Sequence, residues 1–159
     1  MEPEAYAELV RSEQAGLLRL AWALTRDTHL AHDLAQETLV RGFVKRRLVE
    51  KADSPRAYLR TIMLNLWRGR RPRPEHPADH PPERPTIDGH HLERASLVAA
   101  LATLPQQQRA IVALRHLDDL SVRETATVLG CSEQTVTTQC ARALARLRTH
   151  TELADLLED

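Results

Sequence analysis

Six of the chain's nine prolines fall between Pro72 and Pro85, in Arg71-Pro72-Arg73-Pro74-Glu75-His76-Pro77-Ala78-Asp79-His80-Pro81-Pro82-Glu83-Arg84-Pro85. Proline has no amide hydrogen and restricts the residue before it, so neither a helix nor an inner strand runs through this stretch. A semi-extended linker is expected over residues 72–96. It divides the 159 residues into an N-terminal half, 1–71, and a C-terminal half, 97–151, followed by an acidic tail, 152–159. Each half is small enough to be only marginally stable alone.

Both halves read as helical. Leu17, Leu18, Ala21 and Leu24 recur at helical spacing, and Leu30, Leu34, Leu39 and Phe43 do so more loosely. A third run, Tyr58, Leu59, Ile62 and Leu66, opens with Ser54-Pro55. Serine caps a helix and proline suits its first position. Beyond the linker, Leu97, Leu101 and Leu104 form one stripe. Pro105 then opens a helix with Ile111, Val112, Leu114 and Leu117 inward. No alternating strand pattern of useful length appears. The expected class is all-α, two small helical domains on either side of the linker.

The net charge of zero hides a strong pattern. Residues 1–40 are net −4, residues 41–73 net +9, residues 74–96 net −3, residues 97–151 net +2 and residues 152–159 net −4. A basic block that dense repels itself unless a polyanion covers it, and phosphate is the expected one. Other classes fall away. No apolar run approaches the length of a membrane span, and the N-terminus lacks a signal core, so a cytoplasmic protein with no membrane partner is expected. Cys131 and Cys140 make neither a disulfide framework nor a metal-ligand spacing. No nucleophile–base pair, carboxylate dyad or Gly-rich phosphate loop is present, so neither an enzyme nor a cofactor is expected.

Residues 121–147 form the most readable unit. Ser121 caps a first helix that runs to about Leu129. Gly130 supplies the left-handed turn residue, and Ser132 caps a second helix with Glu133 in its first turn. The small Ala126 stands where the helices cross. This is a helix-turn-helix pattern. On the second helix Val136, Cys140, Leu144 and Leu147 share the core face. Gln134, Thr137, Thr138, Ala141 and Arg142 then point outward to a major groove.

Three segments, in order, resemble the extracytoplasmic-function (ECF) sigma factors of bacterial RNA polymerase. Asp33-Leu34-Ala35-Gln36-Glu37-Thr38-Leu39-Val40-Arg41 is similar to that family's region 2.2. Ser54-Pro55-Arg56-Ala57-Tyr58-Leu59-Arg60-Thr61-Ile62-Met63-Leu64-Asn65, with the Arg68–Arg71 cluster, is similar to regions 2.3 and 2.4. Leu104-Pro105-Gln106-Gln107-Gln108-Arg109, running on to Arg142-Ala143-Leu144-Ala145-Arg146-Leu147-Arg148, is similar to region 4. The short format resembles the SigE-type branch of actinobacteria.

The resemblance implies a promoter-directing subunit of core polymerase with three working surfaces. Asp33, Leu34, Gln36 and Glu37 would meet the clamp helices of the β′ subunit. Lys45, Arg46, Arg56, Arg60, Asn65, Arg68, Arg70 and Arg71 would hold the minus-ten element and its melted strand. A loop from about Leu48 to Asp53 would pocket a flipped base. Gln134, Thr137, Thr138, Ala141 and Arg142 would read the minus-thirty-five element, while the apolar face of that half grips the β-flap. An anti-sigma factor is a further partner the resemblance admits.

Two departures from the family pattern matter. The basic residue expected at position 137 is a threonine, and Glu133 adds a negative charge, so weak unaided duplex binding is expected. The linker's histidines and prolines also lie outside the pattern. Two alternatives remain at this level: a helix-turn-helix regulator that acts without polymerase, and a decoy that occupies polymerase or an anti-sigma factor. The regulator leaves the Asp33–Arg41 segment and the basic block without a job.

Overall fold

The computed structural model describes residues 1–69 and 99–149. The linker, the acidic tail, Leu97, Arg70 and Arg71 lie outside the described residues. Among the described residues every regular element is helical. None of these helices is long and apolar enough to cross a membrane.

The N-terminal half has four helices. Helix α1 (Pro3–Thr25) starts on a proline and stops at Arg26, whose φ of 56° turns the chain left-handed while its N–H reaches back to the Trp22 carbonyl. Asp27 then caps α2 (Thr28–Val44) by accepting from the Leu30 N–H at 3.0 Å. A short α3 (Arg46–Lys51) follows, and then α4 (Pro55–Gly69). The Ser54 hydroxyl accepts from the Ala57 N–H at 3.2 Å, so the expected cap is formed. Tyr6 ties α1 to α2 through a hydrogen bond from its hydroxyl to the Leu39 carbonyl. Burial raises its pKa to about 12, so it stays a donor at any physiological pH.

The C-terminal half opens with a helical turn over 99–101. Arg109 staples this turn to α5 (Gln106–Val112) by donating to the carbonyls of Leu101, Ala102 and Leu104. Helix α5 widens into a π-helical turn (Ala113–Leu117) that ends where the Asp118 N–H bonds the Ala113 carbonyl. Helices α6 (Val122–Leu129) and α7 (Glu133–Arg148) complete the half.

The helix-turn-helix takes the expected form. Ser121 and Glu124 make a reciprocal capping box at the start of α6, Gly130 adopts φ 67°, and Ser132 caps α7 by accepting from the Thr135 N–H. Each device satisfies amide hydrogens or carbonyls that a helix end leaves unpaired.

The two halves are not separate bodies. Leu17, Leu20, Leu34, Leu59, Met63 and Leu64 of the first half, and Leu101, Ile111, Leu114, Leu120 and Leu147 of the second, belong to one continuous buried cluster. Helix α4 packs against α6, and α1 packs against the π-helical turn. Sharing a core relieves the marginal stability expected of each half alone.

Candidate functional site

Helix α2 presents an outer face with a mixed character. At 100° per residue, Asp33, Gln36, Glu37, Val40, Phe43 and Val44 fall within one arc, opposite the buried Ala31, Leu34, Ala35, Thr38 and Gly42. Asp33 and Gln36 are exposed and Glu37 is half-exposed. Leu34 is a correction: it is fully buried within the α1–α2–α4 packing, so it supports the helix and touches no partner. The surface found by the structure instead is apolar. Val40 is 63% exposed, Val44 75% and Leu48 53%, and Phe43 is exposed beside them. Valines at 40 and 44, one turn apart and off the buried face, were the signal in the sequence.

Gly42 lets α2 lie close to its neighbours. A Cβ there would stand 2.7 Å from a methyl of Leu59 and 2.5 Å from the Tyr6 hydroxyl.

The basic block divides into free and engaged residues. Lys45, Asn65 and Arg68 are exposed. Arg46 lies 4.4 Å over the Phe43 ring and donates to the carbonyls of Phe43 and Met1, so its guanidinium is partly committed. The expected base-pocketing loop over residues 48–53 is a second correction. Residues 46–51 are helical, pinned by the fully buried Val49, and only 52–54 is irregular. Tyr58 and Trp67 are half-buried against the core, while Phe43 is exposed.

Arg60 is the third correction. In place of an exposed basic side chain on α4, it is 1% exposed and sits between the two halves. Its Nε and Nη2 donate to the two carboxylate oxygens of Asp118 at 2.6 and 2.7 Å. Its Nη1 faces Glu13 at 2.7 Å and donates to the Arg56 carbonyl at 3.1 Å. Burial pulls the Arg60 pKa down, but Asp118 and Glu13 outweigh burial and hold it above the ordinary value.

Arg56 is half-buried at the same seam. It donates to the carbonyls of Asp118 and Asp119, each at 3.2 Å, and its Nε lies 3.5 Å from Glu124. Glu124 also accepts from the Ser54 hydroxyl at 2.8 Å. Burial pushes the Glu124 carboxyl up, but the Ser121 N–H, the Ser54 hydroxyl and Arg56 together hold it below the ordinary carboxylate range. An open groove of about 520 Å³ runs along the seam, lined by Asp53, Ser54, Tyr58 and Thr61 on one side and Arg123 and Glu124 on the other.

On α7, Gln134, Thr137, Thr138, Ala141 and Arg142 are all exposed, while Val136, Ala143 and Leu147 are buried. Cys140 is only half-buried, its Sγ 3.6 Å from His116 Nε2, and Ala143 takes more of the core contact than the sequence suggested. Burial raises the Cys140 thiol pKa and lowers that of His116, so both stay neutral near pH 7. The Thr137 hydroxyl donates to the Glu133 carbonyl at 3.0 Å. Among the described residues no group of three or more His, Cys, Asp or Glu side chains converges to hold a metal ion.

Residues 9–71 match the family model for Sigma-70 region 2, and residues 94–147 match Sigma-70, region 4. The chain is 40% identical over 157 residues to the RNA polymerase sigma-E factor of Streptomyces coelicolor, covering 95% of this chain and 88% of that one. It is 34% identical to the ECF RNA polymerase sigma factor SigE of Mycolicibacterium smegmatis, covering 91% of this chain and 60% of that one. Among solved structures, the sigma factor RpoE from Bartonella quintana, in complex with the anti-sigma factor NepR, superposes with a TM-score of 0.68. The identity is 26%, over 89% of this chain and 95% of that one. By family model, relatives and fold, the chain belongs to the extracytoplasmic-function sigma factors of the SigE-type actinobacterial branch, subunits that direct bacterial RNA polymerase to promoters.

Proposed function

We propose that this sigma factor works through three surfaces. The outer face of α2 meets the β′ clamp helices. There Asp33, Gln36 and Glu37 give register, and the exposed Val40, Phe43 and Val44 give the buried apolar area that a stable interface needs. The exposed basic side of α3 and α4, with Lys45, Asn65 and Arg68, and with Arg70 and Arg71 beyond the described residues, tracks the minus-ten strand. Asn65 offers both a donor and an acceptor to a base edge. Helix α7 enters the major groove of the minus-thirty-five element through Gln134, Thr137, Thr138, Ala141 and Arg142.

The protein does no covalent chemistry of its own, and it acts in the cytoplasm, where polymerase is. An anti-sigma factor is a fitting further partner: the Bartonella relative is seen bound to one, and the apolar face of α2 would serve either occupant. A regulator acting without polymerase would have no use for that face.

The observation that carries the reading is the α2 face itself, a continuous apolar strip flanked by the polar residues of the region 2 motif. Pull-down on purified core polymerase tests it. Gln36→Ala and Val44→Ala are expected to weaken core binding while leaving helical content unchanged. Undiminished core binding in the double variant would refute the assignment.

A further inference from the structure

The contact between the two halves has the chemistry of a protein–phosphate contact. A planar guanidinium receives two parallel oxygens from Asp118, the geometry arginine also uses on phosphate. The turn that delivers Asp118 is built for this. Asp118 closes the π-helical turn, and Asp119 follows with φ 55°, a conformation few non-glycine residues adopt. That turn aims one carboxylate and two backbone carbonyls at Arg60 and Arg56.

The other half is shaped around the same pair. Gly16 of α1 is buried against it. A Cβ at that position would stand 2.6 Å from Asp118 Oδ1 and 2.7 Å from Arg60 Nη2. Arg19 of α1 adds a hydrogen bond to the Leu117 carbonyl at 3.3 Å. Helices α1 and α4 therefore hold a cradle that one acidic turn fills.

We propose that this seam is a self-closing latch, in which Asp118 occupies the α4 arginines as an internal stand-in for a nucleic-acid phosphate and keeps the free protein closed. The proposal rests on the assignment of α4 to the minus-ten strand. While the latch is shut, Arg60 is sealed and Arg56 is engaged, so the strand can contact only the outer part of the block. Opening uncovers both arginines, with Glu13 still held on Arg60 Nη1, and frees the second half to move away. A buried ion pair suits such a switch. Desolvation takes back much of its Coulombic gain, so both partners return to water, or to phosphate, at modest net cost.

The magnitude follows from population shift. If Asp118→Asn raises the open fraction from about 0.05 to about 0.5, apparent affinity for a strand that needs the open form rises about tenfold.

The experiment uses the full chain as wild type, Asp118→Asn and Gly16→Ala. The second variant wedges the seam from the opposite half and leaves every charge in place. Circular dichroism checks helical content. Small-angle X-ray scattering reads the radius of gyration, and fluorescence anisotropy reads binding to a short fluorescein-labelled single-stranded DNA. Both variants are expected to expand and to bind about tenfold more tightly.

Variants as compact as wild type would overturn the latch. Expansion with equally tight binding by all three proteins would overturn the occlusion and leave the minus-ten assignment standing. Expansion with no binding by any protein would overturn the occlusion through the failure of that assignment.

Discussion

Helix α7 carries few positive charges, which limits its salt-dependent hold on a duplex. Arg142, Arg146 and Arg148 are the exposed cations of α7, and Glu133 stands against them at its first turn. If each arginine meets one phosphate, the contribution of α7 to the slope of log K against log salt is about −2.7. Raising salt from about 50 to about 200 mM then weakens duplex binding about 40-fold through this helix. Thr137→Lys adds a cation one turn from Glu133, on the face with Gln134, Thr138 and Ala141. That contribution should steepen to about −3.6, and the loss it causes over the same range to about 150-fold. Thr137 is exposed, and its hydroxyl bonds only the Glu133 carbonyl within the same helix, so the substitution displaces no packing. Anisotropy of the full chain on a labelled duplex across a salt series measures both slopes. The electrostatic part does not depend on base sequence, so any duplex serves. A slope unchanged by Thr137→Lys would mean that this face of α7 does not approach the backbone, and the assignment of Gln134 and Arg142 would fall with it.

Four further predictions concern stability. Ser121→Ala removes one arm of the capping box and should cost about 1 kcal/mol, lowering the melting midpoint by roughly 3 °C. Because Glu124 titrates below the ordinary carboxylate range in the folded state, its contribution is present above the unfolded value of about 4.3 and is lost as pH falls through the folded value. Glu124→Gln should therefore flatten the acid side of the stability profile, read as urea midpoints against pH, and an unaltered profile would contradict the bonds assigned to it. Leu64→Ala, at a fully buried site, should cost about 2–5 kcal/mol. Val44→Ala should stay within about 0.5 kcal/mol of wild type in the same denaturation assay, because that side chain is exposed.

What was legible in the sequence was local. Ser121, Gly130 and Ser132 punctuate the helix-turn-helix within a dozen residues, and each acts on backbone groups beside it. The five outward residues of α7 followed from one helical period and are exposed as expected. The family motifs named the outer edge of α2, yet they carried Leu34 along with it, since a motif does not separate the packing residue from the contacting ones. Val40 and Val44, apolar residues off the buried face, mark the docking surface proposed for α2.

Two things were hidden for physical reasons. Lys45-Arg46-Arg47 reads as a solvated charge run, and only the burial of Val49 turns it into the start of a helix. The Arg60–Asp118 pair joins residues 58 apart in sequence, and no local signal marks an arginine that will be buried against a partner so distant. The other described basic residues of the block are exposed or half-exposed, so the block suggested one DNA-facing surface. The structure shows two populations of arginine, one open and one held.

The most direct test of the central claim is initiation by purified core polymerase on a template carrying the region upstream of this protein's own gene. Wild type is compared there with Asp33→Ala and Asn65→Ala. The account predicts a specific transcript with wild type and its loss in both variants, with core binding lost in Asp33→Ala and kept in Asn65→Ala. Failure of wild type to bind core polymerase, with duplex binding retained, would contradict it.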